Sequence, residues 1–365
     1  MITVEALRGY ILEEMLARFL RASGYNLLVS AEQDPDALKP GAHGLLVRGR
    51  GADHQADVLG ELALPTPFSL PLRVFVEAKY RGVKANLRDV RNAHGVVHDV
   101  NEQYATATAG ARRFPMRRHH YRYALFSASG FTRPAQQYAL AQQISLVDLS
   151  GPAFTRLLAA VDRAAREVHD LAREARVSPF PRGQLRTALR LAFDTWTADE
   201  SIRGQAVYED PDDATWRAQM LNQASREPME LPMDALGDVA GDLARYRDDS
   251  LALGFPAAPF VLVLRPDDPQ RFRAYVDDNG ADIRVRIEFA ERRVATGDWV
   301  IVPTDGSRGF QLRFALPTLL EDWLLSEGGA AGLRARDVKT TLLSSIALFL
   351  DNRLVRLLFE PRRRG

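Results

Sequence analysis

Cysteine is absent from the 365 residues of the chain. This absence excludes disulfides, and it excludes zinc or iron–sulfur sites that use thiolate ligands. It fits a reducing compartment, and we expect a cytoplasmic protein. The opening segment MITVEALRGY has neither a charged leader nor an apolar stretch, which predicts that there is no signal peptide. No apolar run in the sequence reaches the length of a membrane span.

A strong net charge is also missing. The formal net charge is +1, with 46% hydrophobic and 26% charged residues, which is ordinary for a globular protein. Any affinity for nucleic acid must therefore come from local basic clusters and not from the net charge of the whole protein. The chain has no P-loop, no glycine-rich dinucleotide fingerprint and no internal repeat. Its length allows two or three domains.

The most informative pattern lies at residues 49–80, which read GRGADHQADVLGELALPTPFSLPLRVFVEAKY. The pattern predicts a β-hairpin with strands at Ala56–Ala63 and Leu72–Lys79, because both segments are rich in strand-forming residues. The proline-rich connection at Pro65–Pro71 cannot continue a sheet, so it marks the turn.

A hairpin centred near Pro67 places Asp57 opposite Glu77. Lys79 lies two residues after Glu77, so these two side chains share a face of the strand. Two carboxylates offer hard oxygen ligands to Mg²⁺, which keeps several waters and is completed by substrate phosphate. A neighbouring ammonium can orient a metal-activated water or stabilise the transition state. The same residues also fit a solvated cross-strand charge pair, which is the simpler alternative.

Other polar residues near the hairpin compete for these roles. Asp53 is the rival metal ligand, but it falls in a glycine-rich turn, whereas Asp57 enters a strand. His54 is interpreted as a turn residue or a phosphate contact. His94 and His98 form an i, i+4 pair, but zinc is not predicted because no third ligand is suitably spaced.

Three blocks of the sequence occur in a recognisable order. They are G-Y-I-L-E-E-M-L-A-R-F-L-R-A-S-G-Y, the stretch G-x-G-x-D-x-x-x-D followed by V-E-A-K, and A-L-F-S-A-S-G-F-T-R-P-A-Q-Q-Y-A-L-A-Q-Q-I-S-L-V-D-L. Together they resemble the PD-(D/E)xK nuclease superfamily, most closely its Mrr-like restriction endonuclease branch, over about residues 1–150. The insertion at Pro65–Pro71 departs from many members, in which the gap between the aspartate and the glutamate is shorter.

The resemblance implies a restriction-endonuclease-like α/β domain with an αβββαβ core and a mixed sheet. It also implies phosphodiester hydrolysis that depends on Mg²⁺, for which Mn²⁺ can substitute. Carried over by position, the catalytic residues are Glu13, Asp57, Glu77 and Lys79, with Asp57 and Glu77 as the metal ligands. Glu13 enters only through the resemblance, as an outer acid contributed by the first helix.

That first helix is predicted at Glu5–Ser23 and ends before Gly24. An apolar stripe runs along it, formed by Leu12, Met15, Leu16, Phe19 and Leu20. Glu13 lies at the edge of the stripe, whereas Glu14 points nearly opposite and is expected to be solvated. Without the resemblance, both glutamates equally fit ordinary surface positions of a helix.

Two basic segments could contact a nucleic-acid backbone. One is a predicted helix face after the hairpin, and the other is the dense basic run Ala111–Arg122. Each also fits an ordinary solvated face or loop. The candidate nucleic-acid-binding residues are Lys84, Arg88, Arg91, Arg112, Arg113, Arg117 and Arg118.

Composition divides the chain into a nuclease-like domain at 1–152, a helical connecting region at 153–255 and a β-rich α+β domain with an antiparallel sheet at 256–365. In the last region the predicted strands are Phe260–Leu264, Phe272–Val276, Ile283–Phe289, Asp298–Val302 and Phe310–Leu316, and the predicted helices are Pro317–Ser326 and Val338–Phe359.

The leading hypothesis is a Mg²⁺-dependent endodeoxyribonuclease that acts in defence against foreign DNA, with the C-terminal half recognising a target or a trigger. One alternative is a DNA-repair or junction-processing nuclease. Another is an inactive binding or scaffold protein with a nuclease fold. The expected partner is DNA, with RNA also open, together with a second copy of the chain and a protein or small ligand at the C-terminal domain. No membrane partner is expected.

Overall fold

The computed structural model describes most of the chain. The described residues are 2–41, 44–62, 69–104, 106–109, 112–195, 231–246, 251–290, 298–307, 309–326, 331–351 and 353–361. The proline-rich hairpin connection falls partly outside them, at residues 63–68. None of the described helices is long and apolar enough to cross a membrane.

The N-terminal region alternates helices and strands. In chain order its elements are α1 (Val4–Ala22), β1 (Tyr25–Leu27), β2 (Leu38–Gly41), β3 (Gly44–Arg48), β4 (Asp53–Gln55), β5 (Val58–Leu62), β6 (Leu72–Lys79), α2 (Leu87–Asn101), β7 (Thr106–Ala109), β8 (Arg112–Pro115), β9 (His120–Ser127), α3 (Arg133–Ala141) and β10 (Ser145–Asp148). The predicted strand Leu72–Lys79 is confirmed with its bounds, and the strand predicted at Ala56–Ala63 is shorter.

Local sequence explains where the first two helices begin and end. Thr3 caps α1 by accepting a hydrogen bond from the backbone of Ala6, and Gly24 follows the helix with a φ of +84°. Glycine adopts this left-handed conformation without the steric cost that a Cβ brings. Asn86 and Asp89 form a capping box at the start of α2.

Five strands form a central mixed sheet in the order β1-β5-β6-β9-β10. The first three pair antiparallel, whereas β9 and β10 join in parallel. Alternate residues of β6 point to opposite faces, so that Val74 and Val76 pack towards α1 while Phe75 packs towards α2. The sheet is therefore covered by helices on both faces.

Three further helices pack on the α1 side of this sheet. They are α4 (Thr155–Glu174), α5 (Arg182–Phe193) and α6 (Met233–Arg245). Their buried residues, which include Val161, Leu189 and Leu236, share one hydrophobic core with Ile11 of α1. The described part of the connecting region is thus packed into the N-terminal core, and α1 is covered on more than one side.

The C-terminal region is a closed barrel in the order β11-β12-β15-β14-β13-β17-β16. Its strands are β11 (Ala252–Pro256), β12 (Leu262–Pro266), β13 (Asp282–Ala290), β14 (Asp298–Pro303), β15 (Leu312–Phe314), β16 (Ser345–Leu350) and β17 (Arg353–Phe359). Its helices are α7 (Pro269–Asn279), α8 (Thr318–Leu325) and α9 (Ala331–Asp337). A short π-helix at Val338–Leu342 continues α9. Trp299 and Leu264 lie in its core. The antiparallel sheet expected here is therefore closed, and one of its pairs, β13 with β17, is parallel.

Two predicted elements of this region are wrong in type. Phe272–Val276 belongs to α7 and not to a strand, because Asp268 caps the backbone amides of Gln270 and Arg271 and so starts a helix. The predicted helix Val338–Phe359 contains the strands β16 and β17 instead. Asp351, with a φ of +49°, lies between these strands, and a left-handed residue breaks a helix and permits a tight reversal.

Candidate active site

The hairpin β5–β6 brings Asp57 and Glu77 to the same end of the sheet. Val58 pairs with Val76, so the next step outward places Asp57 opposite Glu77. The backbone N–H of Ala78 donates to Asp57 Oδ2 over 3.3 Å, which holds the aspartate against the end of β6. The register predicted from the spacing is confirmed.

Both oxygens of the Glu77 carboxylate have partners. Lys79 forms an ion pair with Oε1, and the hydroxyl of Tyr123 donates to Oε2 over 2.8 Å. Tyr123 reaches this position from β9, where it faces Phe75, and the two rings stack with their centroids 5.6 Å apart. Burial raises the pKa of Tyr123, and the neighbouring Glu77 raises it further. Tyr123 therefore remains a neutral hydrogen-bond donor.

Two arginines of α5 reach the acidic residues of α1. Arg186 Nη2 donates to Glu13 Oε2 over 2.7 Å, and Arg186 Nε lies 3.5 Å from Glu14 Oε1. Arg190 Nε donates to Glu14 Oε2 over 3.0 Å. The expectation that Glu14 is solvated is wrong, because Glu14 is only 2% exposed. The prediction failed because α5 covers the face of α1 that a single apolar stripe leaves to solvent.

The carboxylates of the site repel one another. The pKa of Glu13 is raised to about 7, first by burial and then by the charge of Asp57, while Arg186 opposes the rise. The pKa of Asp57 is also raised, first by burial and then by the charge of Glu77. The charge of Asp57 therefore acts on Glu13, and the charge of Glu77 acts on Asp57. A cation bound here would relieve the repulsion among the three acids.

The carboxylate ligands at this site can be compared with the number of protein ligands that a divalent metal ion requires. Among the described residues, no group of three or more His, Asp or Glu side chains is arranged to hold a metal ion. Mg²⁺ requires fewer protein ligands than that, because it binds through one or two carboxylates and keeps several waters. Asp57 and Glu77 supply such a pair, and the pKa of Asp57 is raised first by burial and then by the charge of Glu77. The residues therefore fit Mg²⁺ as a pair and not as a closed cage.

A cavity of about 380 Å³ opens beside Asp57. Glu14, Arg186, Arg190 and Thr195 line its polar part. The Thr195 hydroxyl is buried and has no hydrogen-bond partner within the described part of the chain. Sequence reasoning missed the two arginines and the threonine. The i, i+4 spacing of the arginines indicates that they share a helix face, but nothing in the sequence shows that this face meets α1.

The rival residues lie in a separate three-stranded sheet, β2-β3-β4. Asp53 belongs to β4 and not to the glycine-rich turn, and it pairs with Lys39. His54 Nε2 lies 2.8 Å from Asp99 Oδ2. None of the described contacts of Asp53 or His54 joins them to Asp57.

His94 of α2 likewise has a structural partner. Its Nδ1 lies 2.9 Å from the hydroxyl of Tyr138, a residue of α3. The neighbouring His98 ring lies 6.2 Å from that of His94, centroid to centroid.

The candidate DNA-binding residues fall into different environments. Lys84 lies before the start of α2, so it is not on the predicted helix face, while Arg88 and Arg91 are exposed on that helix. Arg91 also lies over the ring of Tyr138. Lys84 and Arg88 are therefore open to a large ligand.

The basic run after α2 is strand in part, while residues 116–119 lie outside any helix or strand. Arg112 and Arg113 lie in β8, which pairs with β7 in a two-stranded sheet. Arg117 lies 3.8 Å from Glu102, and Arg118 donates to Asp34 over 2.8 Å. Arg118 thus has a structural role in addition to any contact with DNA.

A second polar cluster lies at the opposite end of β6. Arg73, which is 3% exposed, donates to Glu61 over 2.7 Å and forms an ion pair with Asp34 over 2.7 Å. His119 lies beside these groups, and burial followed by the charge of Arg73 lowers its pKa to about 4. Because its charges are paired and buried, we interpret this cluster as structural.

Comparison with known proteins gives little. No family model matches the chain. No curated protein matches it. A solved structure described as a protein of unknown function, AF1548, aligns with a TM-score of 0.26 and 18% sequence identity, over 39% of this chain and 59% of that protein. The match therefore spans less than two thirds of that protein, and it carries no argument about this one.

Proposed function

We propose that the chain is a Mg²⁺-dependent endodeoxyribonuclease of the PD-(D/E)xK type. The observation that carries the proposal is the hairpin geometry, in which Asp57 faces Glu77 and Lys79 pairs with that glutamate. The order of elements agrees with the αβββαβ core that the resemblance implies, since α1 is followed in the central sheet by three antiparallel strands, then by α2 and a parallel strand. No matched protein contributes to the proposal.

Each residue has a distinct part in the proposed reaction. Asp57 and Glu77 hold the metal ion, which when bound acidifies a water and neutralises charge on the scissile phosphate. Lys79 donates hydrogen bonds to the attacking water or to a phosphate oxygen. Tyr123 fixes the orientation of the Glu77 carboxylate through its 2.8 Å hydrogen bond. This positioning of one ligand restricts the geometry in which the metal binds.

Glu13 and Arg186 have a supporting part. Arg186 donates to Glu13 and lies close enough to Asp57 for its charge to lower the pKa of that carboxyl. We propose that Arg186 balances the acidic group in the free protein. The cavity beside Asp57 gives part of a substrate a place next to that proposed metal ligand, whereas Glu77 does not line it.

The proposal includes a biological setting. Defence against foreign DNA in the cytoplasm follows from the resemblance alone, and the barrel would then recognise the target or the trigger. Branched DNA cut in preference to linear duplex would instead favour a junction-processing enzyme.

The direct test is incubation of the full chain with supercoiled plasmid and Mg²⁺, with EDTA as the metal-free control. We expect nicking or linearisation by the wild type, loss of cleavage in Lys79→Met, and near-normal cleavage by Lys84→Met at saturating DNA. Equal cleavage by wild type and Lys79→Met would contradict the assigned role. If the wild type does not cut, Mn²⁺ binding measured by calorimetry decides between an untriggered enzyme, which binds the ion, and an inactive fold, which does not.

A further inference from the structure

A second cavity lies between the N-terminal region and the barrel, away from Asp57. Its volume is about 240 Å³. One wall comes from α3 and β10, and the other comes from β12, β15 and the segments that flank them. Neither region closes the cavity alone, so a ligand bound there would contact both.

The walls are largely apolar. On the barrel side they include Phe260, Phe314 and Leu316, and on the other side Ala139 and Ile144. Each of these five residues is less than 9% exposed, so a large part of the cavity wall consists of core side chains. Such walls favour a ligand with an apolar body.

Two arginines stand side by side on the barrel wall. Arg265 of β12 and Arg313 of β15 are direct cross-strand partners, and both line the cavity. Like charges in this arrangement destabilise a sheet. Arg313 is balanced by Asp267, which accepts from its Nε over 2.9 Å. Arg265 is half-buried, and within the described part of the chain it has no ion pair or hydrogen bond. A bound anion would supply the missing counter-charge.

The strand pattern explains why Arg265 points into this cavity. Leu262 and Leu264 are buried in the barrel core, whereas Val263 and Arg265 alternate with them and are partly exposed. Val263 packs against the core of the N-terminal region. Arg265 therefore lies on the same outward face of β12, at the junction of the two regions.

Two other polar side chains on the wall have partners of their own. Asp148 accepts hydrogen bonds from the Ser150 backbone over 2.8 Å and from its hydroxyl over 2.6 Å. Gln136 donates to the carbonyl of Phe131 over 3.2 Å. The negative charge of Asp148 directs an anion away from the α/β wall and towards Arg265.

We propose that this cavity binds a small carboxylate with an apolar body. Its size supports that class, because an apolar protein cavity of about 150 Å³ accommodates benzene. A cavity of about 240 Å³ accommodates a ring or a short acyl chain together with a carboxylate. The planar fork of Arg265 suits bidentate contact with such a group. The inference does not depend on the proposed nuclease activity.

The test is calorimetric titration of the full chain with phenylacetate and octanoate. The neutral isosteres phenylacetamide and octanamide serve as ligand controls. We expect at least one acid to bind, and its amide to bind at least tenfold more weakly, because the amide cannot neutralise Arg265. Equal affinity for acid and amide, or no binding of either acid at millimolar concentration, would overturn the proposal.

Three variants complete the test. Arg265→Met should lose at least tenfold in affinity for the acid. Arg265→Lys, which keeps the charge without the fork, should recover part of that loss. Arg271→Met removes an exposed arginine of α7 and should bind the acid like the wild type. Unchanged affinity in Arg265→Met would overturn the proposal, and so would an affinity in Arg265→Lys as low as in Arg265→Met.

Discussion

Arg186 Nη2 donates to Glu13 Oε2 over 2.7 Å, although 172 residues separate the two positions along the chain (186 − 13 − 1). The contact fastens α5 to α1 next to the hairpin that carries Asp57. It makes the described helical part of the connecting region a component of the candidate site. The side chains of Glu13 and Glu14 are thereby held in a buried position that they would otherwise avoid.

Loss of Arg186 should destabilise the fold. Arg186→Met leaves the Glu13 carboxylate and part of Glu14 without a counter-charge, and breaking a buried pair costs about 3–5 kcal/mol. Arg190→Met should cost less, since Arg186 still contacts Glu14. Because the pKa of Glu13 is about 7, the effect of Arg186→Met should be larger at pH 8, where Glu13 is ionised, than at pH 5.

Urea unfolding of the wild type and both variants at pH 5 and pH 8 measures these free energies. A cost that is the same at both pH values would show that the carboxylate charge is not what Arg186 stabilises.

Metal binding should depend on pH. The pKa of Glu13 is raised to about 7, and that of Asp57 is also raised, so protons compete with a cation for this acidic site. Affinity for Mn²⁺ should therefore fall as the pH drops from 8 to 5. Glu13→Gln removes the titration near pH 7 and should flatten the profile. Calorimetry across this range checks it, and an affinity that rises towards pH 5 would contradict the electrostatics.

The raised pKa of Glu13 also makes the stability of the fold depend on pH. The folded pKa of Glu13, about 7, lies above its ordinary value of 4.5, so the folded state binds the proton more tightly than the unfolded state. The contribution of Glu13 to stability is therefore present at low pH and is lost as the pH rises from about 4.5 through about 7. Urea unfolding of Glu13→Gln should lack this loss.

The cluster around Arg73 should matter for stability and not for chemistry. Arg73→Met leaves Asp34, which is 3% exposed, and Glu61 without their shared guanidinium. Because Arg118 still pairs with Asp34, we expect a cost below the roughly 3–5 kcal/mol of a buried charge left with no partner, but above about 1 kcal/mol. Arg81→Met is the matched control, because Arg81 forms an exposed pair with Asp89 that is worth about 0–1 kcal/mol. Comparable losses in the two variants would contradict this interpretation.

The hairpin is the part of the site that the sequence predicts best. The strand Leu72–Lys79 and the pairing of Asp57 with Glu77 follow from alternation and from the proline-rich turn, and both are local properties of the chain. The side chains that complete the site are different. Glu14 is buried only because α5 packs on α1, a long-range contact that a single helix pattern does not encode.

In the barrel, the sequence pattern does not distinguish helix from strand. Apolar runs such as Phe272–Val276 fit a strand or a helix, and the choice depends on the cap at Asp268. The helix predicted at Val338–Phe359 fails for the same reason, since its leucine-rich pattern equally suits two strands joined at Asp351. Closure of the barrel depends on pairing between distant strands, which no local pattern specifies.

The most direct measurement is plasmid cleavage by Asp57→Asn and Asp53→Asn, measured side by side with the wild type in Mg²⁺. Both substitutions replace a carboxylate by an amide of the same shape, but only Asp57 faces Glu77, whereas Asp53 pairs with Lys39 in a separate sheet. We expect a loss of about 100-fold or more for Asp57→Asn, as for removal of a metal ligand. Cleavage by Asp53→Asn should stay within a few-fold of wild type. Wild-type cleavage by Asp57→Asn, or its loss in Asp53→Asn alone, would contradict the assignment.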